Sequence, residues 1–442
     1  MPLLAYQAAQ ADRAAADPPA VIDEIEAFLD AVITGLEIEP VRPPGQAGRP
    51  RVFPSLCVWA GLLVCVLRGF SHQQGLWRLL TVRGLWSFPR LAVSDQAVAD
   101  RLAADGPAPL QRLLEQISAV LVERLAPYLP PPLAPFATEV LAVDATTLDA
   151  VAHRWPAADG GAPAVRRRLP GKLAAVFDVR RQQWWRVRYR PDPHENDKVV
   201  ARDLIADVPT GTLLLFDLGY FAFRWFDDLT DQGVWWVSRL RQKTSYTVVH
   251  TFYHGGTTCD GLVWLGAYRA DRARHLVRLV QFRVGPVSYQ YLTNVTDPHT
   301  LTLRPIAALY QRRWDIELAF NLIKTHLGLH LLWSRTDAVI VAQVWAVLII
   351  AQVLQALRIE IAGRAGVDPF AVSLPLLVQY VPQLAADGQN PVAVLVDHGR
   401  AAGIIRPSRR TENRAPHIPS HQLRSPPADL VRIRVPRYAA RT

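Results

Sequence analysis

Two apolar, strand-like runs end in an aspartate, Asp144 in LAVDATT and Asp217 in LLLFDLGY, and a later helix-like run carries Glu317. An acid leaving a buried strand is aimed at the carboxyl edge of the sheet, where α/β proteins place their sites. Taken singly each aspartate is ambiguous, because strand-end aspartates also cap the turn that follows. If the three carboxylates converge, they supply hard oxygen ligands without nitrogen or sulfur. Such a set suits Mg2+ or Mn2+, one or two ions, which keep waters and bind substrate phosphates. Two ions together activate an attacking oxygen and stabilise a leaving one in in-line phosphoryl displacement.

Glu317 shares the run LYQRRWDIELAFNLIK (309–324) with Tyr310, Arg313 and Lys324, at offsets 0, 3, 7 and 14 for Tyr310, Arg313, Glu317 and Lys324. At about 100° per residue the four fall in an arc of roughly 60° on one helix. Ile316, Phe320, Ile323 and Leu327 form the neighbouring apolar face, so the polar stripe would sit at the rim of a core, facing a cleft. From Tyr310 to Lys324 such a helix rises about 21 Å, enough to track several phosphates. Arg313 and Lys324, on either side of Glu317, could hold phosphates while metals act on one of them. The plain alternative is a solvated helix face with an Arg–Glu pair. Helical geometry alone leaves both open.

The elements that must position these residues are legible. Glu139–Leu148, Lys172–Val179, Trp184–Arg190 and Thr212–Tyr220 read as strands, the first and last with the near-continuous apolar runs of central strands. Short strands continue from about 234 to 296. Before them, residues 20–36, 55–67, 72–83, 95–104 and 108–125 read as helices, with Ser94 an N-cap. A compact helical unit of that kind suits either a helix-turn-helix-like DNA reader or a plain scaffold. The proline cluster LAPYLPPPLAPF (125–136) marks a boundary between the two textures.

A chain of 442 residues with 50% hydrophobic and 20% charged residues is globular and long enough for two or three domains. Its net charge of +10 favours a polyanionic partner. Almost all of the positive charge is arginine, with lysine only at 172, 198, 243 and 324. Cys57, Cys65 and Cys259 form no zinc-like spacing, and the N-terminus lacks the basic start of a secretory signal. The apolar stretches 52–70 and 338–357 contain Pro54 and three glutamines (343, 352 and 355) respectively, and read as buried helices, not membrane spans. A reducing, cytoplasmic setting follows. The tail from 401, with nine arginines against two acids and six prolines, is expected to be mobile and to attract nucleic-acid backbone.

The ungapped series Tyr310, Arg313, Glu317, Lys324 resembles the Y-R-E-K signature of the IS4-type DDE transposases, and LAVDATT and LLLFDLGYF resemble that family's two aspartate motifs. Order agrees as well: 73 residues separate Asp144 from Asp217, and 100 separate Asp217 from Glu317. The resemblance covers roughly 139–360. Leu218 stands where many relatives have arginine, and Ala145 where glycine or serine is common. The resemblance implies that Asp144, Asp217 and Glu317 are catalytic metal ligands and that Tyr310, Arg313 and Lys324 contact DNA near the cleaved end. It also implies a homodimer or multimer on paired ends, acting on double-stranded DNA at terminal inverted repeats and at the target. The bacterial nucleoid would be the place of action.

Three further groups invite a role. Trp235, Trp236 and Trp264 could stack on an unpaired base, or form a small β core. The run Arg166, Arg167, Arg168 with Lys172 is either a phosphate-contacting edge or a solvated loop. His194, Glu195 and Asp197 in DPHENDK are rival ligands that read as surface loop.

The expectation is an α/β protein with an RNase H-like mixed sheet flanked by helices, interrupted by a β-rich insertion, after a helical N-terminal region. Its parts are a DNA-recognition region (1–130), the catalytic core (131–365, insertion about 234–290) and a basic C-terminal region (366–442). The function expected is metal-dependent DNA cleavage and strand transfer. The rivals are an inactive or domesticated DNA-binding derivative and an RNase H-like nuclease without strand transfer.

Overall fold

The computed structural model describes residue 29, residues 55–148 except 71, 86 and 87, residues 152–153, residues 171–408 except 267–270, 330 and 335, and residues 410 and 415–438. Along the chain come α1 (Ser55–Leu67), α2 (Gln73–Arg78), α3 (Asp95–Asp105), α4 (Ala108–Leu125), β1 (Val140–Thr147), β2 (Ala152–His153), β3 (Lys172–Asp178) and β4 (Gln183–Arg190). Next are α5 (Asp197–Leu204), β5 (Leu213–Phe216), α6 (Phe223–Asp231), β6 (Trp235–Arg239), β7 (Tyr246–Gly255), β8 (Thr258–Leu265), β9 (Val277–Val284) and β10 (Val287–Thr293). The series ends with α7 (Leu303–Arg312), α8 (Asp315–Asn321), β11 (Leu331–Leu332), α9 (Asp337–Ala365), α10 (Leu374–Ala386) and α11 (Pro391–His398).

These elements fall into two compact units. One, drawn from the described residues of 1–129, 148–170 and 319–409, is helical. Its centre is α9, a 29-residue helix that is apolar all round, with α1, α3, α4, α10 and α11 packed against it. A helix without a polar stripe is stable only where every side is covered. Among the described residues α9 is also the one helix long and apolar enough to cross a membrane, and 89% of its most apolar stretch is buried. In its last turns Glu360 accepts from Arg124 and pairs with Arg364 at 2.5 Å. Gly366, left-handed at φ 63°, ends the helix.

The other unit, drawn from 130–147, 171–318 and 410–442, is built on one nine-stranded sheet in the order β4-β3-β1-β5-β6-β10-β9-β8-β7. β1, β5 and β6 run parallel, and β3 and β4 pair antiparallel on the β1 side. That arrangement of five strands is an RNase H-like mixed sheet. β3 and β5 are buried along their whole length, as strands with helices over them must be. Phe226 of α6 stacks on Trp236 of β6 with centroids 4.1 Å apart, fixing helix to sheet.

Two expectations are corrected here. Trp235–Arg239, expected to open the insertion, is instead the third parallel strand of the central sheet, because the apolar run VWWV fits a position covered on both faces. β10 pairs with β6 and carries the same sheet on through β9, β8 and β7. The tail, expected to be mobile, is packed and hydrogen-bonded over 415–438. Arg272 and Arg437 exchange backbone hydrogen bonds, Leu276 donates to Arg432, and Arg424 donates to Phe252. Leu423 and Leu430 cover the cluster of Phe252, Leu262 and Leu276, so apolar residues between the arginines hold the segment down.

Candidate active site

The carboxyl edge of the parallel strands is built by register. Val143 of β1 is opposite Phe216 of β5, so the next positions on both strands, Asp144 and Asp217, stand side by side where the strands leave the core. Asp217 starts the short 3-10 turn Leu218–Tyr220, and Asp144 is still paired to Ala175 of β3 on its other side. The chain then supplies the third carboxylate from α8. Arg313, in the turn between α7 and α8, donates to Glu317 Oε1 at 2.8 Å and lies 3.8 Å from Asp144 Oδ2. One guanidinium therefore bridges an acid on the sheet and an acid on the helix.

The electrostatics follow from that crowding. Burial pushes the Asp144 carboxyl up to about 6, and Glu317 and Asp217 push the same way, against Arg313 and a hydrogen bond from the Ala145 N–H. Burial works against the charge of Arg313, but Tyr310, Asp217 and Glu317 together hold its pKa above the ordinary arginine value. Tyr310 packs on Tyr291 with centroids 4.9 Å apart, and burial raises its phenol to about 12. Its hydroxyl is buried without a well-formed hydrogen bond. Tyr220, buried just after Asp217, is raised by burial and by the charges of Asp144, Asp197 and Asp217.

The donor set fits a hard divalent cation: oxygen only, with negative charge that one arginine offsets incompletely. As they stand, no three carboxylate, imidazole or thiolate groups among the described residues lie close enough to enclose an ion. Arg313 spans the interval between Asp144 and Glu317.

The four-turn helix expected over 309–324 is interrupted. α7 stops at Arg312, Arg313 and Trp314 form a tightened turn with N–H bonds to Tyr310 and Gln311, and α8 gives way to the π-helical turn Leu322–His326. Both irregularities alter the 100° phase, and π-turns concentrate at functional sites. The cause of the first is Asp315, whose fully buried carboxylate draws the chain inward. It accepts from Arg312 Nε at 2.6 Å and Gln182 Nε2 at 2.7 Å, and from Arg410. Gln182, with φ 55°, presents its amide from the β3–β4 turn, and Arg312 also donates to the Val179 carbonyl at 2.7 Å. Sequence reading did not single out Asp315, Gln182 or Arg410; an acid flanked by arginines in RRWDIE was the one trace of them.

Asp144, Asp217, Tyr310, Arg313 and Glu317 all belong to the sheet unit. Lys324 lies in the π-helical turn, within the helical unit. Arg166, Arg167 and Arg168 fall outside the described residues. Lys172, from the same run, is buried and ion-paired to Asp197 at 2.6 Å, holding the DPHENDK loop. Trp264 on β8 packs beside Phe252, Leu262 and Leu276 with Arg434 of the tail 4.5 Å over its ring. Trp236 is fully buried, and Trp235 packs edge-on against Phe136 at 6.1 Å.

The model of the family described as "Transposase DDE domain" matches residues 135–353, which contain the three carboxylates. A Sinorhizobium fredii protein named "Putative transposase y4zB" is 25% identical over 192 residues, 42% of this chain and 51% of that protein. The chain thus spans about half the length of this curated relative. The cryo-EM structure of the piggyBac transposase synaptic complex with hairpin DNA superposes with TM-score 0.40 and 11% identity, over 94% of this chain and 87% of that one.

Proposed function

We propose that the chain, matched over residues 135–353 by the family model described as "Transposase DDE domain", is an IS4-type DNA transposase, cutting insertion-sequence ends and joining them to target DNA. The observation that carries the reading is the adjacent register of Asp144 and Asp217 at the carboxyl edge, with Arg313 linking Asp144 to Glu317. Asp144, Asp217 and Glu317 are the residues to hold Mg2+ or Mn2+, as one or two ions. Bound there, such a metal stabilises charge on phosphoryl oxygens and lowers the pKa of an attacking water.

The chain's own groups do the rest. Arg313 screens the carboxylates from one another and offers a fork-shaped donor to phosphate. Tyr310, whose buried hydroxyl lacks a well-formed partner, offers a donor beside it. Lys324 contributes a point charge to the backbone near the cleaved end. In the first step water adds to the scissile phosphorus and the P–O3′ bond breaks, releasing a 3′-hydroxyl. In the second, that hydroxyl adds to a target phosphorus and displaces a 3′-oxygen there, which takes up the proton. The helical N-terminal region (1–130) reads the terminal repeats, the core (131–365) cuts, and the C-terminal region (366–442) follows. Arg166, Arg167, Arg168 and Trp264 add DNA contacts. Paired ends are held by a homodimer or multimer in the cytoplasm of a bacterium, at the nucleoid.

The test is cleavage and joining of labelled DNA taken from the gene's own flanks. Asp144→Ala, Asp217→Ala and Glu317→Ala are expected to abolish metal-dependent cleavage while leaving binding of the same DNA largely intact. Cleavage by the triple variant at the wild-type rate refutes the assignment of the site. Cleavage without joined products by the wild type would make the protein a nuclease.

A further inference from the structure

The row of strand ends that holds Asp144 and Asp217 has a third member. Phe216 of β5 is opposite Ser238 of β6, so the position following Asp217 across the sheet is Arg239, the last residue of β6. Asp144, Asp217 and Arg239 therefore occupy equivalent places at the carboxyl edge of three consecutive parallel strands, about 9.5 Å from first to last at two inter-strand spacings. After three buried residues, Val237 and Ser238 among them, Arg239 emerges exposed. Among the described residues it has neither an ion pair nor a side-chain hydrogen bond, whereas Arg186, Arg190 and Arg278 of the same sheet are each tied to a carboxylate.

Its surroundings are those of the candidate site. Across the β6–β10 pair Arg239 is opposite Tyr291, whose ring packs on Tyr310, and its charge reaches the Tyr310 phenol. The chain then turns through Arg241 and Lys243, both exposed, with Lys243 held at φ 61°. Between Asp231 and Asp260 the sequence contains no Asp or Glu. A cation placed only for solubility has no reason to stand in register with two catalytic aspartates.

We propose that Arg239, with Arg241 and Lys243 behind it, is a DNA-backbone clamp on the Asp217 flank of the site, holding a phosphate of the bound strand next to the one presented to the carboxylates. The inference rests on the reading of this site as a DNA-cleaving centre. Arg239 touches the substrate as a binding residue and takes no part in proton transfer.

The experiment uses the full chain and a fluorescein-labelled duplex from the gene's flank, with affinity followed by anisotropy across a salt series. Arg239→Ala is expected to weaken binding and to lower the slope of log affinity against log salt by about 0.9, one phosphate's worth of released counterion. Arg239→Lys should restore the slope, since a point charge suffices for it. Arg283→Ala, an exposed arginine on β9 bonded to the Gly285 carbonyl, is the control expected to behave as wild type. Equal thermal midpoints for all variants separate a lost contact from a lost fold. If the wild type binds the duplex and Arg239→Ala matches it in affinity and slope, the clamp is wrong and the reading of the site stands. If the wild type itself neither binds nor cuts the duplex, that reading falls and the clamp with it.

Discussion

At the scale of single residues, Asp144 and Asp315 are both acids near one turn, yet their environments assign them opposite work. Asp144 has a folded pKa of about 6 against an ordinary 3.8, so between these values the folded state binds the proton more tightly than the unfolded one. Its contribution to stability is therefore lost as pH rises from about 4 to about 6. In metal-free buffer Asp144→Asn should match the wild type near pH 4 and exceed it by up to about 3 kcal/mol at pH 7, read from urea midpoints. A constant difference across that range would contradict the burial seen at Asp144. Asp315, with three donors around a buried carboxylate, is structural: Asp315→Ala should destabilise by about 3 to 5 kcal/mol, because it strands the Arg312 and Arg410 charges. Glu317→Ala, two residues on and a third exposed at its side chain, should alter the melting temperature little while abolishing cleavage.

At the scale of elements, the sheet sets the aspartates and the helix turn sets the glutamate. β1 and β5 place Asp144 and Asp217 through a ladder that tolerates no slip, since one residue of shift would turn each acid to the other face. The α7–α8 turn is placed by the Asp315 cluster against the β3–β4 turn. The tail is the third case. Tyr438 donates to Asp227 Oδ2 at 2.7 Å, and Asp227 already accepts the N–H groups of Arg274 and His275. Tyr438→Phe should cost about 1.5 to 3 kcal/mol, the range for a hydrogen bond to a charged group, and should speed hydrogen exchange at Arg437 and Arg434. Unchanged exchange there would show that the strap is held by Leu423 and Leu430 alone.

At the scale of the whole molecule, net charge and local charge act with opposite sign. The net charge of +10 gives general attraction to DNA, while the crowded carboxylates at one sheet edge give a local site for the opposite sign. Mg2+ or Mn2+ should accordingly raise the thermal midpoint of the wild type and leave that of the Asp144→Ala, Asp217→Ala, Glu317→Ala triple variant unmoved. A rise of the same size in both would place the ion elsewhere.

Sequence alone determined the strand runs ending in Asp144 and Asp217, the apolar core helix over 338–357, and the spacing that linked Tyr310, Arg313, Glu317 and Lys324. These are properties of composition and period, which a chain carries before it folds. Tertiary structure decided what no local pattern encodes. Register put Arg239 beside Asp217 and made Trp235–Arg239 a core strand. Asp315, Gln182 and Arg410 met although they are far apart in the chain, and bent the expected helix between Arg312 and Asp315. The Pro- and Arg-rich tail, disordered by composition, is held by apolar contacts and backbone hydrogen bonds whose partners lie more than a hundred residues earlier. Each of these depends on which segments become neighbours, and that is settled by packing the sheet, not by the order of residues within any one segment.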